Sequence, residues 1–103
     1  MTVELLWWDG CPSHPEAFAE LRRILREEGI EADVSRLEIT DDDQARRERF
    51  PGSPTIRIDG EDIVPAEDAD QYSLTCRVYR TRDGRISPLP DPEDVRDAVR
   101  RAA

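Results

Sequence analysis

The sequence feature that most constrains the fold is a short apolar run that leads directly into a helix. Residues 3–8 are almost continuously apolar, which is typical of a buried strand. Asp9 and Gly10 predict a turn, and Pro12 and Pro15 suit the first turn of a helix, where a missing N–H costs no hydrogen bond. A buried strand followed at once by a helix is typical of α/β proteins, in which helices connect parallel strands.

This first helix is predicted to run from about Pro12 or His14 to Glu28. Its apolar residues recur at helical spacing: Phe18, Leu21, Ile24 and Leu25. Gly29 stands where a helix commonly ends, because glycine adopts the left-handed cap conformation without a Cβ clash. Residues 30–39 then alternate imperfectly between apolar and polar, which predicts a strand with a bulge or an early start.

Three aspartates mark the start of the next helix. Asp41, Asp42 and Asp43 supply an N-cap and an acidic first turn, and the helix is predicted to run to about Arg49. Capping explains these carboxylates better than metal binding, since an acidic first turn is a common helix start.

A hairpin is predicted after this helix. Residues 55–58 alternate as a strand, and Asp59 with Gly60 is a hairpin turn signal. The return strand is expected to begin at residues 63–64.

The segment from about residue 65 to residue 90 is enlarged and less regular. Within it, residues 74–81 have a strand-like pattern, and residues 82–85 could turn that strand into a second small hairpin. The last helix is predicted to start at Asp91, with Pro92 at its first position. Its buried stripe is predicted to consist of Val95, Ala98, Val99 and Ala102.

The predicted order is therefore β-α-β-α-β-β-α, an α/β domain that spans residues 1–103 and has a central mixed sheet flanked by helices. Charged residues make up 38% of the chain and the net charge is −9, which argues against nucleic acid or an anionic membrane as partner. The first residues lack a signal-peptide pattern, and no apolar run is long enough to span a bilayer. We therefore expect a cytoplasmic location, where a structural disulfide is not expected.

Cys11 lies between the first predicted strand and the first predicted helix. At a helix start, unpaired N–H groups and the positive end of the helix dipole favour the thiolate. An inert packing cysteine would be expected on an apolar stripe instead, so Cys11 is predicted to be a reactive nucleophile.

His14 follows Cys11 by about one helical turn. In its protonated form it would lower the pKa of Cys11, and in its neutral form it could transfer a proton. The alternative is a partly exposed helix residue without a chemical role. Cys11 and His14 could also be two metal ligands, but no further ligand stands at useful spacing, so neither a metal site nor a cofactor is predicted.

Two motifs together resemble the thioredoxin superfamily: the cysteine before the first helix, and Gly-Ser-Pro-Thr-Ile at residues 52–56, before the third strand. With Gly-Cys-Pro at residues 10–12 and Cys-Arg-Val-Tyr at residues 76–79, the chain is similar to small bacterial thioredoxin-like proteins and selenoproteins, some labelled alkylmercury lyase. Those relatives often have a second cysteine or a selenocysteine at the position of His14. The histidine therefore excludes a local Cys-x-x-Cys disulfide here.

The resemblance implies that the peptide bond between Ser53 and Pro54 is cis, and that the Ser53 backbone beside the thiol is where an extended substrate pairs. Ser53 and Pro54 are therefore predicted substrate-binding residues. Trp8 is predicted to join them, because one of the two neighbouring tryptophans is expected to pack in the core and the other could line the substrate surface.

Cys76 is the second thiol of the chain. In the fold that the resemblance implies, the enlarged segment could cover Cys11, and Cys76 would then be a resolving cysteine. The alternative is a buried strand cysteine packed with Leu74 and Val78. Disulfide connectivity cannot be deduced from sequence, so both interpretations stay open.

The predicted function is that of a thiol-dependent redox protein and possible thiol–disulfide oxidoreductase. Cys11 attacks a disulfide to form a mixed disulfide, His14 tunes it, and Cys76, glutathione or a partner thiol resolves it. The expected partner is a disulfide- or thiol-bearing protein or a small thiol. The alternatives are a non-enzymatic thioredoxin-fold binding module for a peptide or a soft metal such as mercury, and a structural remnant without chemistry.

Overall fold

The structure is a computed structural model that describes residues 1–65 and 71–103. The helices of these described residues are α1 (His14–Glu27), α2 (Asp42–Arg47) and α3 (Pro92–Ala102). The strands are β1 (Val3–Trp7), β2 (Val34–Glu38), β3 (Thr55–Ile58), β4 (Glu61–Asp62), β5 (Tyr79–Arg80) and β6 (Ile86–Ser87). Within the described ranges, no helix is long and apolar enough to cross a membrane.

Four of the strands form a mixed sheet in the order β2-β1-β3-β4. β1 is parallel to β2 and antiparallel to β3, and β3 is antiparallel to β4. β5 and β6 pair separately as a small antiparallel hairpin, as the turn signal at residues 82–85 predicts. The α/β class and the mixed sheet flanked by helices are confirmed.

The helices bury both faces of the sheet. α1 and α3 cover one face with a cluster that includes Leu5 of β1 and Ile56 of β3. Leu6 belongs to a second cluster, with Ala45 of α2 and Phe50. Successive side chains of a strand point to opposite faces, so β1 supplies both clusters and is buried between two layers.

The helix boundaries follow the predicted caps. The Asp41 carboxylate accepts a hydrogen bond from the Gln44 N–H at 2.7 Å, and the Asp91 carboxylate accepts one from the Glu93 N–H at 2.8 Å. Gly29 ends the first helix with φ at 69°. Asp41 is thus a capping residue, as predicted.

Three strand predictions were wrong in extent. β2 begins at Val34 because the Ile30 N–H is still bonded to a helix carbonyl, that of Leu25, at 2.9 Å. β4 lies at Glu61–Asp62 instead of residues 63–64, because Asp59 and Gly60 both adopt positive φ and reverse the chain in two residues.

The third case is the strand predicted over residues 74–81, part of the segment expected to be enlarged. There, only β5 and a single bridge at Cys76 are strand-like. The remainder does not join a ladder because residue 76 pairs with the loop before β3 and not with another strand. Residues 66–70 of the enlarged segment lie outside the described residues.

Candidate functional site

The turn between β1 and α1 holds Cys11 in a buried position. The backbone N–H of Cys11 donates to the Trp8 carbonyl at 3.1 Å, which closes the turn. The residue is only 3% exposed. α1 begins three residues later, so the thiol lies just before the helix N-terminus and not inside the helix.

Two serines flank the Cys11 sulfur. The Ser13 hydroxyl oxygen lies 3.4 Å from Sγ, and the thiol donates to the Ser53 carbonyl oxygen at 3.5 Å. Ser13 is the N-cap residue of α1, yet its side chain makes no capping hydrogen bond. The Ser13 hydroxyl is therefore available to the sulfur and is not committed to the helix.

Ser53 is fully buried and precedes a cis peptide bond to Pro54, as the resemblance implies. Both of its backbone polar groups are already hydrogen-bonded within the chain. Its N–H donates to the Thr75 carbonyl at 2.8 Å, and its carbonyl accepts from the Arg77 N–H at 2.8 Å. These two bonds form a parallel bridge that sets Cys76 opposite Ser53.

The expectation that Ser53 offers its backbone to an extended substrate therefore needs correction. Residues 74–79, which we call the covering segment, occupy that edge. Gly52 permits the approach: it has φ at 146°, and a Cβ there would lie 3.0 Å from the Arg77 Cβ. Any side chain at residue 52 would push the covering segment away from Ser53.

Arg77 and Tyr79 anchor the covering segment on the sheet. The Arg77 guanidinium is buried and donates to Asp62 at 2.8 Å and to the Val64 carbonyl. It also lies 4.5 Å from the centre of the Tyr79 ring, whose hydroxyl donates to the Pro54 carbonyl at 2.5 Å. Moving the covering segment away would leave the buried charge of Asp62 or Arg77 unpaired, which is costly. The contacts of Arg77 and Tyr79 therefore keep residue 76 beside the Ser53 loop.

The two thiols lie close enough to perturb each other. Burial alone would raise the pKa of Cys11. Hydrogen bonds with the Cys76 thiol, with Ser13 and with the Ser53 side chain outweigh this effect, so the pKa of Cys11 lies below the ordinary value of 9.0. The pKa of Cys76 is raised, first by its hydrogen bond to Cys11 and then by desolvation and the Cys11 charge. Of the two thiols, Cys11 is thus the one that ionises more readily.

The thiol with the lower pKa is the less exposed of the two. Cys76 is exposed, whereas Cys11 is buried. Val78, on the same segment, is 67% exposed. The interpretation of Cys76 as a buried cysteine packed with Leu74 and Val78 is therefore wrong, because the bridge to Ser53 turns both side chains to the outside.

His14 does not join the thiol in this structure. Its ring stacks on that of Trp7, with centroids 4.0 Å apart and the planes 20° from parallel. Its Nδ1 is buried and has no hydrogen-bond partner among the described residues. No hydrogen bond links His14 to Cys11 within residues 1–65 and 71–103. The pKa of Cys11 is lowered instead by hydrogen bonds of the Cys76 thiol, Ser13 and the Ser53 side chain.

Trp8 packs beside the site and not across an open surface. It contacts the cluster of Leu6 and Phe50 together with Leu74 of the covering segment. Its indole also covers Gly10, where a Cβ would lie 2.3 Å from the ring. Its backbone N–H donates to the Ser53 hydroxyl at 3.1 Å, so Trp8 links the Cys11 turn to the Ser53 loop.

The described residues contain no cluster of three or more histidine, cysteine, aspartate or glutamate side chains that could hold a metal ion. Cys11 and Cys76 alone could offer two sulfur ligands to a soft cation. Cys11 and Cys76 both meet Ser53, the first through its thiol and the second through the backbone bridge at residue 76.

Sequence reasoning missed three residues of the site. Ser13 had a signal, since a hydroxyl two residues after a cysteine at a helix start can reach the sulfur. Arg77 had only a misleading signal, since an arginine in an irregular segment is usually solvated, but the covering segment presents this one to the interior. Gly52 had no local signal, because the backbone that approaches it is distant in sequence.

Comparison of the chain with models of protein families, with curated proteins and with solved structures finds no match.

Proposed function

We propose that this chain is a thioredoxin-like, thiol-dependent redox protein in which Cys11 and Cys76 form the redox pair. The observation that carries the proposal is the bridge between Ser53 and Cys76, because Ser53 also accepts the hydrogen bond of the Cys11 thiol. Because Cys11 and Cys76 both meet Ser53, little movement of the chain is needed for them to form a disulfide. Cys11, whose pKa is lowered, is the nucleophile of the exchange.

A thioredoxin-like fold is part of this proposal. It is supported by the cysteine that precedes α1, the cis-proline that precedes β3 and the mixed sheet with helices on both faces. The missing cysteine at His14 is replaced by Cys76, which comes from the covering segment and not from the next turn of α1. The expected partner is a small thiol or a protein thiol or disulfide, in a reducing compartment such as the cytoplasm.

The alternative of a peptide-binding module is less well supported. An extended peptide would have to displace Thr75 and Arg77 from the Ser53 backbone before it could pair there. Binding of a soft metal by the two thiols is the competing use of the same residues, and it is separated from the redox function by the experiment below.

The experiment is equilibration of the reduced protein in glutathione redox buffers, followed by intact-mass spectrometry and peptide mapping. We expect a reversible intramolecular disulfide between Cys11 and Cys76 with a defined midpoint potential. Cys76→Ser should form no intramolecular disulfide and should accumulate a glutathione adduct instead.

A wild-type protein that forms only adducts, or no product at all, contradicts the redox pair. Tight binding of a soft metal without any disulfide under these conditions favours the binding module. Arg85→Ala, at a side chain that is 81% exposed and lies outside the covering segment, is the control and should oxidise like the wild type.

A further inference from the structure

The two cysteines of the proposed redox pair differ in their exposure to solvent. Cys11 is 3% exposed and is covered by the Ser53 loop and the covering segment. Cys76 is exposed on the outer side of that segment. A molecule arriving from solvent therefore meets the sulfur of Cys76 before that of Cys11.

A surface groove leads to Cys76. Its volume is about 690 Å³, within the range of small-molecule sites, and Cys76 forms part of its wall. Val78 and Ile86 also line it, and they are 67% and 70% exposed, which is unusual for large apolar side chains. Arg80 adds a cationic group to the same wall. Cys11 is not among the lining residues.

The size and neighbours of the groove favour a small thiol as the occupant. The Ser53 backbone, the edge on which an extended polypeptide could pair beside Cys11, is already bonded to Thr75 and Arg77. The groove instead offers apolar contacts and two arginines, Arg77, which is paired with Asp62, and Arg80. These groups suit a low-molecular-weight thiol that carries a carboxylate.

We propose that Cys76, and not Cys11, is the sulfur that exchanges with an external low-molecular-weight thiol, which enters from the groove lined by Val78 and Ile86. This inference rests on the redox pair proposed above and assigns its two sulfurs different tasks. The disulfide sulfur that Cys11 attacks is then that of Cys76, within the same chain.

Reduction proceeds through two thiol–disulfide exchanges. The external thiolate attacks Sγ of Cys76 and forms a mixed disulfide, while the bond between Cys76 and Cys11 breaks and its electron pair leaves with Cys11 as thiolate. A second external thiolate attacks the external sulfur of the mixed disulfide. It releases a small-molecule disulfide and the Cys76 thiolate, which takes a proton from water. Two electrons pass from two external thiols to the protein.

Oxidation is the reverse. The Cys76 thiolate attacks a small-molecule disulfide and expels one thiolate, and Cys11 then attacks Cys76 and expels the other. The lowered pKa of Cys11 supports this division, because a more stable thiolate is the better leaving group when the external thiol attacks.

The test begins with the oxidised wild-type protein. It is mixed with glutathione, the reaction is quenched with acid at early times, and the mixed disulfide is located by peptide mapping. We expect adduct on Cys76 in about tenfold or greater excess over adduct on Cys11, a ratio that corresponds to at least about 1.4 kcal/mol between the two attack barriers. Adduct mainly on Cys11 overturns the inference but leaves the redox pair intact, whereas failure to form the disulfide at all overturns the redox pair.

Variants with one thiol test the same assignment from the oxidising side. Cys11→Ser, which keeps Cys76, should react with glutathione disulfide and retain a stable adduct. Cys76→Ser, which keeps Cys11 covered, should react several-fold more slowly at equal pH. A faster reaction of Cys76→Ser contradicts the inference.

A variant of the groove wall tests the route of entry. Val78→Trp fills the groove from an exposed position and should slow the attack of glutathione on the oxidised protein several-fold, while the intramolecular disulfide still forms. Arg85→Ala, in the turn between β5 and β6 and 81% exposed at its side chain, is the matched surface control. Equal rates for Val78→Trp and the wild type contradict entry through this groove.

Discussion

At the scale of single residues, the thiol of Cys11 depends on neighbours that come from three different parts of the chain. Ser13 lies two residues after it, Ser53 comes from the loop before β3, and Cys76 comes from the covering segment. Burial opposes ionisation of the thiol, so the low pKa is a result of these hydrogen bonds and not of exposure to water.

Ser13→Ala tests this balance. We expect the pKa of Cys11 to rise, because the variant removes the hydroxyl that lies 3.4 Å from the sulfur while burial remains. The stability of α1 should change little, since the Ser13 side chain makes no cap bond. The measurement is thiolate absorbance against pH. Ser35→Ala, at an exposed position of β2, is the control, and an unchanged Cys11 pKa in Ser13→Ala would contradict the role of Ser13.

At the scale of elements, the covering segment is held by a close approach that depends on Gly52. The glycine has φ at 146° and faces the backbone of Arg77 at 3.1 Å from where a Cβ would lie. The segment also donates the Leu74 N–H to the Asp42 carboxylate at 3.0 Å. The position of Cys76 is therefore fixed by contacts at both ends of the covering segment.

Gly52→Ala should weaken this docking. We expect a loss of about 1–3 kcal/mol in the free energy of unfolding, from the strained φ and the clash together. We also expect slower formation of the Cys11–Cys76 disulfide, because the covering segment moves away from Ser53. Gly84→Ala has a positive φ of 88° but open space around its Cβ, so it separates strain from clash. Equal rates of disulfide formation in the two variants would argue against the docking role of Gly52.

The packing of α3 against α1 carries a group of ion pairs. Glu28, at the end of α1, bonds Arg96 and Arg100 of α3. Hydrogen bonds from Arg100 and then from Arg96 lower the pKa of Glu28 from 4.5 to about 2. A carboxyl with a lowered folded pKa stabilises the fold above its unfolded pKa and loses that contribution as the pH falls through the folded value.

Glu28→Gln therefore has a defined pH signature. The wild type should lose stability between pH 4.5 and about 2 as Glu28 takes up a proton, and the variant should lose less over the same interval. The measurement is urea unfolding across this range. Glu31→Gln, an exposed glutamate beyond the end of α1, is the control and should follow the wild type. Identical pH profiles for the wild type and Glu28→Gln would contradict the prediction.

At the scale of the whole molecule, the proposed disulfide would join the turn after β1 to the covering segment and so enclose more than half of the chain. A cross-link between distant residues restricts the unfolded chain more than one between neighbours. A Cys-x-x-Cys disulfide closes only a short loop, whereas the proposed disulfide between Cys11 and Cys76 would link redox state to global stability.

Oxidation should therefore stabilise the fold. We expect the oxidised protein to exceed the reduced protein by about 2–4 kcal/mol in the free energy of unfolding. Urea denaturation with and without reductant measures the difference. Cys76→Ser should show no such dependence on reductant, and a reduced wild type as stable as the oxidised form would indicate that the disulfide strains the native structure.

Much of the fold could be predicted because its signals are local. The caps at Asp41 and Asp91 and the left-handed Gly29 lie within a few residues of the helix ends that they set. The strand predicted over residues 74–81 failed because its alternation suggested a ladder, whereas only one bridge forms there. The inward position of Arg77 could not be predicted for the same reason, since the side that faces inward depends on the loop that residue 76 meets.

The sequence by itself determined the order of the elements from β1 to β4 and the final helix, the position of a thiol at the start of α1 and the proline before β3. It could do so because turn, cap and periodicity signals act over short distances. The tertiary structure alone decided that Cys76 stands opposite Ser53, that Cys11 is buried while Cys76 is exposed, and that His14 stacks on Trp7. These outcomes depend on contacts between residues far apart in the chain. Such contacts are selected by packing and by the need of the backbone N–H and carbonyl groups of Ser53 for hydrogen-bond partners, and no local sequence pattern predicts them.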